Sequence, residues 1–235
     1  MTDNNHHIVC ILDTETANFV DAPIPYDIGY VLYDATDRKI IARHSFVVHE
    51  TFTDKDLMNS AYYAKKVPQY WEDIKSGKRQ MKRITTIKNF IAKEFKEYSV
   101  TMVGAYNMGF DKRATNNGIR YNTYSKYRWF FPYGIEFFDI WHGACSSFLR
   151  SKHFIKWAIK NGFVSDKGNI QTSAEVAYKY ITKNLDFVES HTGLEDVEIE
   201  TAIFEKIYQS KMRFDFSVIA CPWRIVQNYR KQFNL

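Results

Sequence analysis

The chain has 235 residues, a formal net charge of +5, 45% hydrophobic residues and 17% aromatic residues. This composition is typical of a soluble globular protein with a real core, and the sequence shows no internal repeat and no low-complexity tract. The first apolar run, residues 8–12, is too short for a signal segment or a membrane span.

Three strands with short connections are predicted first. Residues 8–12 form a buried strand, and YDIGYVLYD (26–34) alternates as a second, with Gly29 permitting close approach of another backbone. KIIARHSFVVHE (39–50) is the third, joined to the second by the turn-prone residues 34–37. Short links of this kind predict an antiparallel meander.

Helices and two more strands follow. The apolar spacing in residues 83–98 predicts an amphipathic helix. Strands are predicted at 100–106 and 134–141, and further helices at 153–161, 172–183 and 194–210. This order predicts an α/β fold with a mixed sheet. Because no linker interrupts the chain, we expect a single domain over residues 1–235.

The first strand leads into two carboxylates, Asp13 and Glu15, which project from the same side of it. A buried charge is costly unless something compensates it. One interpretation is a functional site, and the alternative is a strand-end turn with hydrogen-bonded acids. The pair Asp54 and Asp56 is interpreted as surface or helix-start charge.

Two later segments each carry another acid. GAYNMGFDKRATNNG (104–118) places Asp111 at the start of a short helix closed by Gly118, where a helix N-cap is the alternative interpretation. Residues 189–210 place His191 in a loop and Asp196 in the first turn of a helix, where acids also favour the helix dipole. Four carboxylates around one point would repel each other unless cations lay between them, and oxygen ligands suit Mg²⁺.

LDTET, NMGFD and HTGLED resemble the three motifs of the DnaQ-like DEDDh 3′–5′ exonucleases, which belong to the RNase H-like superfamily. The resemblance extends from residue 8 to about residue 207 and covers no motif in 120–190. It implies an RNase H-like fold with a mixed five-stranded sheet flanked by helices. It also implies Asp13, Glu15, Asp111 and Asp196 as metal ligands and His191 as the catalytic histidine. Ala17-Asn18 and Tyr106 depart from the commonest wording of the family at positions near the substrate.

The resemblance also implies a mechanism. Two Mg²⁺ or Mn²⁺ ions, about 3.5–4 Å apart, would activate a water and stabilise the departing 3′-oxygen. Asp13 would bridge both ions, Glu15 and Asp196 would complete the site of the nucleophile, and Asp111 would hold the other ion. His191 would act as general base on the water. The product would be a 5′-mononucleotide.

Other residues near the motifs are candidates for substrate contacts. The predicted substrate-binding residues are Thr14, Thr16, Asn107 and Phe110. Phe110 and Phe19 are alternatively core residues, and Asn107 alternatively closes its own loop. Glu200 is interpreted either as a support for the metal ligands or as part of a solvated helix face, and Asp139 as a cap of the following helix.

A nucleic-acid path is predicted along residues 116–134, where basic and aromatic residues alternate. Cations for phosphates and rings for bases suit a single strand. The alternative is a loop whose aromatic side chains pack on the domain. The basic tail, residues 223–233, is interpreted either in the same way or as a solvated helix.

The sequence therefore predicts a divalent-metal-dependent 3′–5′ exonuclease acting on single-stranded nucleic acid, with DNA favoured over RNA. The alternatives are an RNA-trimming exoribonuclease, a catalytically silent nucleic-acid-binding module and a metal-dependent endonuclease. A polymerase or another replication protein is the expected partner, with no membrane involved. Three widely spaced cysteines predict a reducing, cytoplasmic setting. The frequent Lys, Asn, Tyr and Phe residues resemble AT-rich bacteriophage proteins.

Overall fold

Six strands form one mixed sheet in the order β4-β3-β2-β1-β5-β6 in the computed structural model, which describes residues 6–235. The strands are β1 (Ile8–Ala17), β2 (Ile24–Asp34), β3 (Lys39–Val48), β4 (Gln80–Lys82), β5 (Met102–Ala105) and β6 (Glu136–Asp139). The predicted mixed α/β fold is confirmed, with six strands in place of five. The additional strand, β4, has three residues and pairs parallel to β3, so it is too short to leave a periodic pattern.

Ten α-helices complete the described part of the chain. They are α1 (His49–Phe52), α2 (Lys55–Met58), α3 (Val67–Lys75), α4 (Ile84–Glu97), α5 (Met108–Asn122), α6 (Ile140–Ser146), α7 (Lys152–Lys160), α8 (Ala174–Thr182), α9 (Gly193–Tyr208) and α10 (Trp223–Gln232). The predicted helices at 83–98, 153–161, 172–183 and 194–210 correspond to α4, α7, α8 and α9. No helix within residues 6–235 is long and apolar enough to cross a membrane.

The chain divides into two compact units, and each is assembled from three stretches of sequence. Of the described residues, unit 1 contains 6–103, Phe110–Glu136 and Ser190–Val197. Unit 2 contains Gly104–Gly109, Phe137–Glu189 and Glu198–Leu235. Because the chain passes between them several times, no single cut in the sequence separates the units. The single domain over residues 1–235 stays a prediction.

The meander β1-β2-β3 is the framework of unit 1. Both pairings are antiparallel, as predicted. The turn between β2 and β3 is stabilised by Asp34, whose Oδ1 accepts hydrogen bonds from the backbone N–H groups of Thr36 (2.9 Å) and Asp37 (3.1 Å). β2 is buried along its whole length, which places the core of unit 1 on both faces of this strand.

Strand β1 is longer than its apolar run predicts. It continues through the two acids to Ala17 because β2 pairs with it as far as Ile24, with an irregularity between Glu15 and Thr16. Asp13 and Glu15 therefore lie within a paired strand, and the strand-end turn is wrong. Their backbone groups are held by the pairing of β1 with β2, so any binding or reaction at these residues involves their carboxylate side chains.

Helix α5 is also longer than predicted. It runs through Gly118 to Asn122, so Gly118 does not close it. A Cβ atom on Gly118 would lie 3.0 Å from the Pro25 ring, which shows that the glycine allows α5 to pack closely against the start of β2. Gly118 therefore indicates close packing between α5 and β2 and does not mark the end of the helix.

Candidate active site

Three carboxylates gather at one point of unit 1. Oxygen atoms of Asp13, Glu15 and Asp196 all lie within 4.8 Å of one another. Glu15 is 9% exposed and Asp196 is 5% exposed, whereas Asp13 is partly open to solvent. Asp196 lies more than 180 residues after Asp13 and Glu15 in the sequence, so the tertiary structure brings the three together. Their side chains offer a group of hard oxygen donors.

The pairing of β1 with β2 begins to explain how Asp196 reaches the other two acids. Asp13 is opposite Gly29 in the register of the two strands. A Cβ atom on Gly29 would lie 2.1 Å from the carbonyl carbon of Gly193, so only glycine allows the start of α9 to touch β2 here. The predicted close backbone approach at Gly29 is confirmed. Asp196 follows Gly193 within the first turn of α9.

A buried ion-pair network holds the same helix start. Oδ2 of Asp27 accepts hydrogen bonds from the Gly193 backbone N–H (3.0 Å), the Tyr70 hydroxyl (2.6 Å) and the Arg79 guanidinium (3.2 Å). Arg79 also donates to Glu195, at 2.8 Å, in the first turn of α9. The network therefore attaches α9 to β2 through Gly193 and Glu195, which lie in the same first turn of the helix as Asp196.

The ionisation of this network is shaped by burial. Burial raises the pKa of Asp27, opposed by the Arg79 charge and the bonds from Tyr70 and Gly193. For Glu195 burial acts in the same direction, but hydrogen bonds from Lys78, Thr192 and Arg79 outweigh it and lower the pKa to about 2. Glu195 is therefore an anion at neutral pH, and its partners Lys78 and Arg79 are cations.

Asp111, the fourth predicted metal ligand, is attached to β1. Its Oδ1 accepts hydrogen bonds from the backbone N–H (3.1 Å) and the hydroxyl (2.8 Å) of Thr14, the residue between the other two acids of the strand. Asp111 is 3% exposed and lies in the first turn of α5, which begins at Met108, so the N-cap alternative is wrong. Thr14 is buried and acts on Asp111, and its predicted contact with substrate stays a prediction.

His191 is next to the acid group. A ring nitrogen of His191 lies within 4.8 Å of a carboxylate oxygen of Asp196. The backbone of His191 adopts φ 50°, a left-handed conformation that is uncommon outside glycine. The imidazole stacks on the Tyr63 ring, with centroids 4.5 Å apart and planes 14° apart.

The histidine loop is also held through its main chain. The Lys66 ammonium donates hydrogen bonds to the carbonyl oxygens of Ser190 and His191, the latter at 3.3 Å. The same ammonium lies 5.5 Å from the centroid of the Tyr63 ring, within the range of a cation–π contact. One short segment between α2 and α3 thus fixes both the ring plane and the backbone of His191.

The remaining predicted substrate-binding residues have different surroundings. Thr16 and Phe110 are half-buried, and the Phe110 ring lies 5.6 Å from the Arg113 guanidinium. Asn107 belongs to unit 2, is exposed and has φ 83°, and its N–H donates to Oδ1 of Asp139 at 3.3 Å. Phe19 is 80% exposed, so the core interpretation of this residue is wrong.

Two further acids are buried in unit 2. Glu200 is 3% exposed and accepts a hydrogen bond from the Tyr106 N–H at 2.9 Å, so the solvated helix face is wrong. Asp139 caps α6, as predicted, by accepting from the His142 N–H at 3.2 Å. Burial raises the pKa of Asp139 to about 6, although backbone N–H donors oppose the shift.

Most aromatic side chains of residues 116–134 face solvent. Exposed members of this segment are Tyr121, Tyr124, Tyr127, Trp129 and Tyr133. Phe130 and Phe131 are the exceptions, since both are buried, and the Phe130 N–H donates to Asn116 Oδ1 at 2.8 Å. The interpretation in which these rings pack on the domain is therefore wrong for the exposed five, and the rings are accessible to a ligand.

Four residues that support the candidate site lie outside the three sequence motifs. Asp27 leaves a weak signal, because a charge inside a predicted strand is unusual and requires a partner when it is buried. Arg79, Tyr63 and Lys66 leave none, since each lies in a polar segment of ordinary composition. Only the folded chain brings them to the helix start and to the histidine.

Solved exonuclease structures share this fold. Exonuclease I of E. coli, in complex with a dT13 oligonucleotide, matches with a TM-score of 0.55 and 15% identity over 86% of this chain and 41% of that chain. The nuclease domain of 3′hExo, a DEDDh family member bound to rAMP, matches with a TM-score of 0.53 and 12% identity over 91% and 98%. A 3′-exonuclease that recognises the 3′ end of a histone mRNA stem-loop matches with a TM-score of 0.56 and 12% identity over 93% and 70%.

The likeness is one of fold. No family model and no curated protein sequence matches the chain. The chain spans about two fifths of the length of the exonuclease I chain that it matches. The predicted RNase H-like fold of the DEDDh exonucleases is confirmed, whereas the roles of individual residues stay predictions.

Proposed function

We propose that this chain, which has the fold of the DEDDh exonucleases, is a divalent-metal-dependent 3′–5′ exonuclease acting on single-stranded nucleic acid. One observation carries the proposal. Asp13, Glu15 and Asp196 place carboxylate oxygens within 4.8 Å of one another, and a nitrogen of His191 is equally close to Asp196. Two of the three motifs that predict the site from the sequence, LDTET and HTGLED, supply these side chains.

The donor set fits a hard divalent cation. Carboxylate oxygens are the ligands that Mg²⁺ and Mn²⁺ prefer, and three of them converge here. Asp13, Glu15 and Asp196 would hold the metal, and Asp111 would contribute to a second ion directly or through water. When bound, the two ions would supply Lewis-acid activation of a water and charge stabilisation at the phosphate.

His191 is the proposed general base. A water attacks the phosphorus of the terminal phosphodiester and its proton passes to a ring nitrogen of His191. The bond from phosphorus to the 3′-oxygen of the preceding nucleotide breaks, and this oxygen takes a proton from solvent to become the new 3′-hydroxyl. The products are a 5′-mononucleotide and a strand one nucleotide shorter. An imidazole suits this role because its ordinary pKa of about 6.5 leaves it able to accept a proton near neutral pH.

Single-stranded nucleic acid is the proposed substrate, with DNA favoured. The exposed rings of residues 116–134 and the basic residues among them offer stacking surfaces and phosphate contacts. Among the structural neighbours, exonuclease I is bound to DNA oligonucleotides and 3′hExo to rAMP. The RNA-trimming alternative therefore stays open and is tested beside DNA.

The deciding experiment uses single-stranded DNA and RNA of one sequence, labelled at either end, with Mg²⁺, Mn²⁺ or EDTA. We expect stepwise shortening from the 3′ end with the metals and none with EDTA. The ratio of the DNA and RNA rates identifies the substrate. Binding of both strands without cleavage would contradict the proposal and favour the catalytically silent module.

Circular single-stranded DNA separates the exonuclease from an endonuclease. A circle has no 3′ end, so an exonuclease leaves it intact while an endonuclease linearises it. We expect the circle to survive under conditions in which the linear strand is degraded. Cleavage of the circle at a matching rate would overturn the exonuclease and favour the metal-dependent endonuclease.

The biological setting is a further part of the proposal. Cys10, Cys145 and Cys221 are free thiols, which favours a reducing compartment such as the cytoplasm. A polymerase or another replication protein is the proposed partner, and a bacteriophage is the proposed source. Among the structural neighbours, exonuclease I is described in complex with SSB-Ct, so single-strand-binding proteins are the first partners to test.

A further inference from the structure

Two adjoining clefts lie in unit 2. Neither is lined by a residue of the acid group, and the first includes Asn107, one of the predicted substrate-binding residues. The first has a volume of about 510 Å³ and is lined by aromatic rings and amides, among them Tyr106, Trp141 and Trp223. The second has a volume of about 570 Å³ and is lined by basic residues of α10 and of the loop before Asn169. Both volumes are within the range of about 300–1,000 Å³ that is typical of ligand sites.

The clefts share a wall, because Trp223 and Asn169 line both of them. A ligand can therefore run from the aromatic cleft into the basic one past the Trp223 ring. Trp141 and Trp223 are half-buried, which leaves part of each ring accessible. Two tryptophans on one side and a row of cations on the other are a pattern that suits bases and phosphates.

The walls are held by hydrogen bonds within unit 2. The Gln227 side chain accepts from the Ile170 N–H and donates to the Ile170 carbonyl, both at 3.1 Å, which attaches α10 to the loop. The Trp141 indole N–H donates to Thr172 Oγ1 at 2.9 Å, and the Tyr106 hydroxyl donates to the Thr172 carbonyl at 2.5 Å. A surface fixed in this way loses little conformational entropy when a ligand binds.

The charge of the second cleft points to an anion. Lys167, Arg224, Arg230 and Lys231 line it, and none of the ten residues of α10 is acidic. The Arg230 guanidinium donates to backbone oxygen atoms of Gly168 and Leu235, so this residue stabilises the wall of the cleft. Lys167, Arg224 and Lys231 are exposed and available to phosphate groups.

We propose that these clefts form a second binding site for single-stranded nucleic acid, in which Trp141 and Trp223 stack on bases while Lys167, Arg224 and Lys231 contact phosphates. This site would hold a strand independently of hydrolysis. It deepens the proposed function, on which it rests for the class of ligand. DNA and RNA share the chemistry that it recognises, and the experiment uses both.

The test is equilibrium binding of fluorescein-labelled dT20 and rU20 in EDTA, measured by fluorescence anisotropy over a range of salt concentrations. Trp223→Ala should weaken binding about 5- to 100-fold because one stacking platform is removed, with Trp223→Phe restoring most of it. In the double variant Arg224→Ala/Lys231→Ala, the association constant should depend less steeply on salt. The negative slope of its logarithm against the logarithm of the salt concentration should shrink in magnitude by about 0.7 for each phosphate that is no longer neutralised. Thermal melting of each variant checks that it folds.

The matched control removes the same charge elsewhere. Lys93 and Lys96 are exposed on α4, and the variant Lys93→Ala/Lys96→Ala should bind as the wild type does. Unchanged affinity and salt slope in Arg224→Ala/Lys231→Ala would overturn the site, as would an equal loss in the control. Because EDTA prevents hydrolysis, a chain without nuclease activity gives the same reading, and the two proposals fail separately. A tighter complex with dT20 than with rU20 would identify DNA as the strand held here.

Discussion

Two groups of acidic side chains in unit 1 differ in how their charge is balanced. Asp27, Asp73 and Glu195 surround Arg79, a buried cation that the chain itself supplies. Asp13, Glu15 and Asp196 surround a point that suits a divalent cation from solution. The first group has its cation within the chain, whereas the second would be completed by a ligand.

The comparison shows that a cluster of acidic side chains can be either a structural ion-pair network or a candidate reactive site. Arg79 is 2% exposed and holds its acids from the centre of a hydrogen-bonded network, which is typical of structural ion pairs. The acid group of Asp13, Glu15 and Asp196 is partly open at Asp13 and has a histidine at its edge, which is typical of reactive sites. Substitutions in the two groups should therefore have opposite consequences for stability and for activity.

The largest effect on activity is expected for Asp13→Ala. Loss of a central ligand should reduce hydrolysis of labelled single-stranded DNA to background, while the free energy of unfolding stays equal or rises because repulsion between acids is relieved. Urea unfolding and the nuclease assay measure the two quantities. Glu198→Gln, an exposed acid on α9, is the matched control and should change neither. Full activity in Asp13→Ala would show that this carboxylate is not required for hydrolysis and would contradict the proposed metal site.

His191→Ala should lower kcat by about 10²–10⁴-fold, the usual contribution of a general base. Divalent metal binding, measured by calorimetry, should persist because the carboxylates remain. The variant thus separates the proton acceptor from the metal ligands. A loss of metal affinity as large as that in Asp13→Ala would instead make the histidine a ligand.

Arg79→Met should lower the free energy of unfolding by about 3–5 kcal/mol, because it leaves buried carboxylates without their cation. Chemical denaturation measures the loss. The double variant Asp27→Asn/Arg79→Met should recover part of it, since the buried charge at Asp27 is removed while an oxygen remains for the bonds from Tyr70 and Gly193. A loss below about 1 kcal/mol would mean that the Arg79 group contributes no more than a surface ion pair.

Tyr63→Ala tests whether the stacked ring positions His191. We expect kcat to fall about tenfold with KM unchanged, less than for His191→Ala because the base is still present but less well oriented. Tyr63→Phe keeps the ring and should keep the activity. An equal loss in both variants would assign the effect to the hydroxyl group and not to stacking.

The smallest effect concerns the pH dependence of stability. The pKa of Glu195 is lowered to about 2 in the folded chain from an ordinary value of 4.5. Its contribution is therefore complete above pH 4.5 and is lost as the pH falls toward 2. The difference in unfolding free energy between wild type and Glu195→Gln should be largest at pH 6 and should shrink from pH 4.5 to pH 3. A constant difference over this range would show that the Arg79 and Lys78 contacts do not depend on the charge.

Local patterns in the sequence were sufficient for much of the fold. The meander, the amphipathic helix α4 and the helix that carries Asp196 follow from alternation, turn residues and helical spacing. The short strand β4 and the extension of β1 through Asp13 and Glu15 did not follow. Both depend on pairing with a neighbouring strand, and such pairing leaves no periodicity in three or four residues.

The sequence by itself determined the chemical types at the candidate site, since the acids, the histidine and Gly29 are readable from three short motifs and one strand. Only the tertiary structure decided which of them meet. It brought Asp196 to Asp13 and Glu15, attached Asp111 to Thr14, and placed Tyr63 and Lys66 against His191. The physical reason is that side-chain chemistry is local, whereas distance is set by strand register and by the buried contacts of Asp27, Arg79 and Gly193, which join residues far apart in the chain.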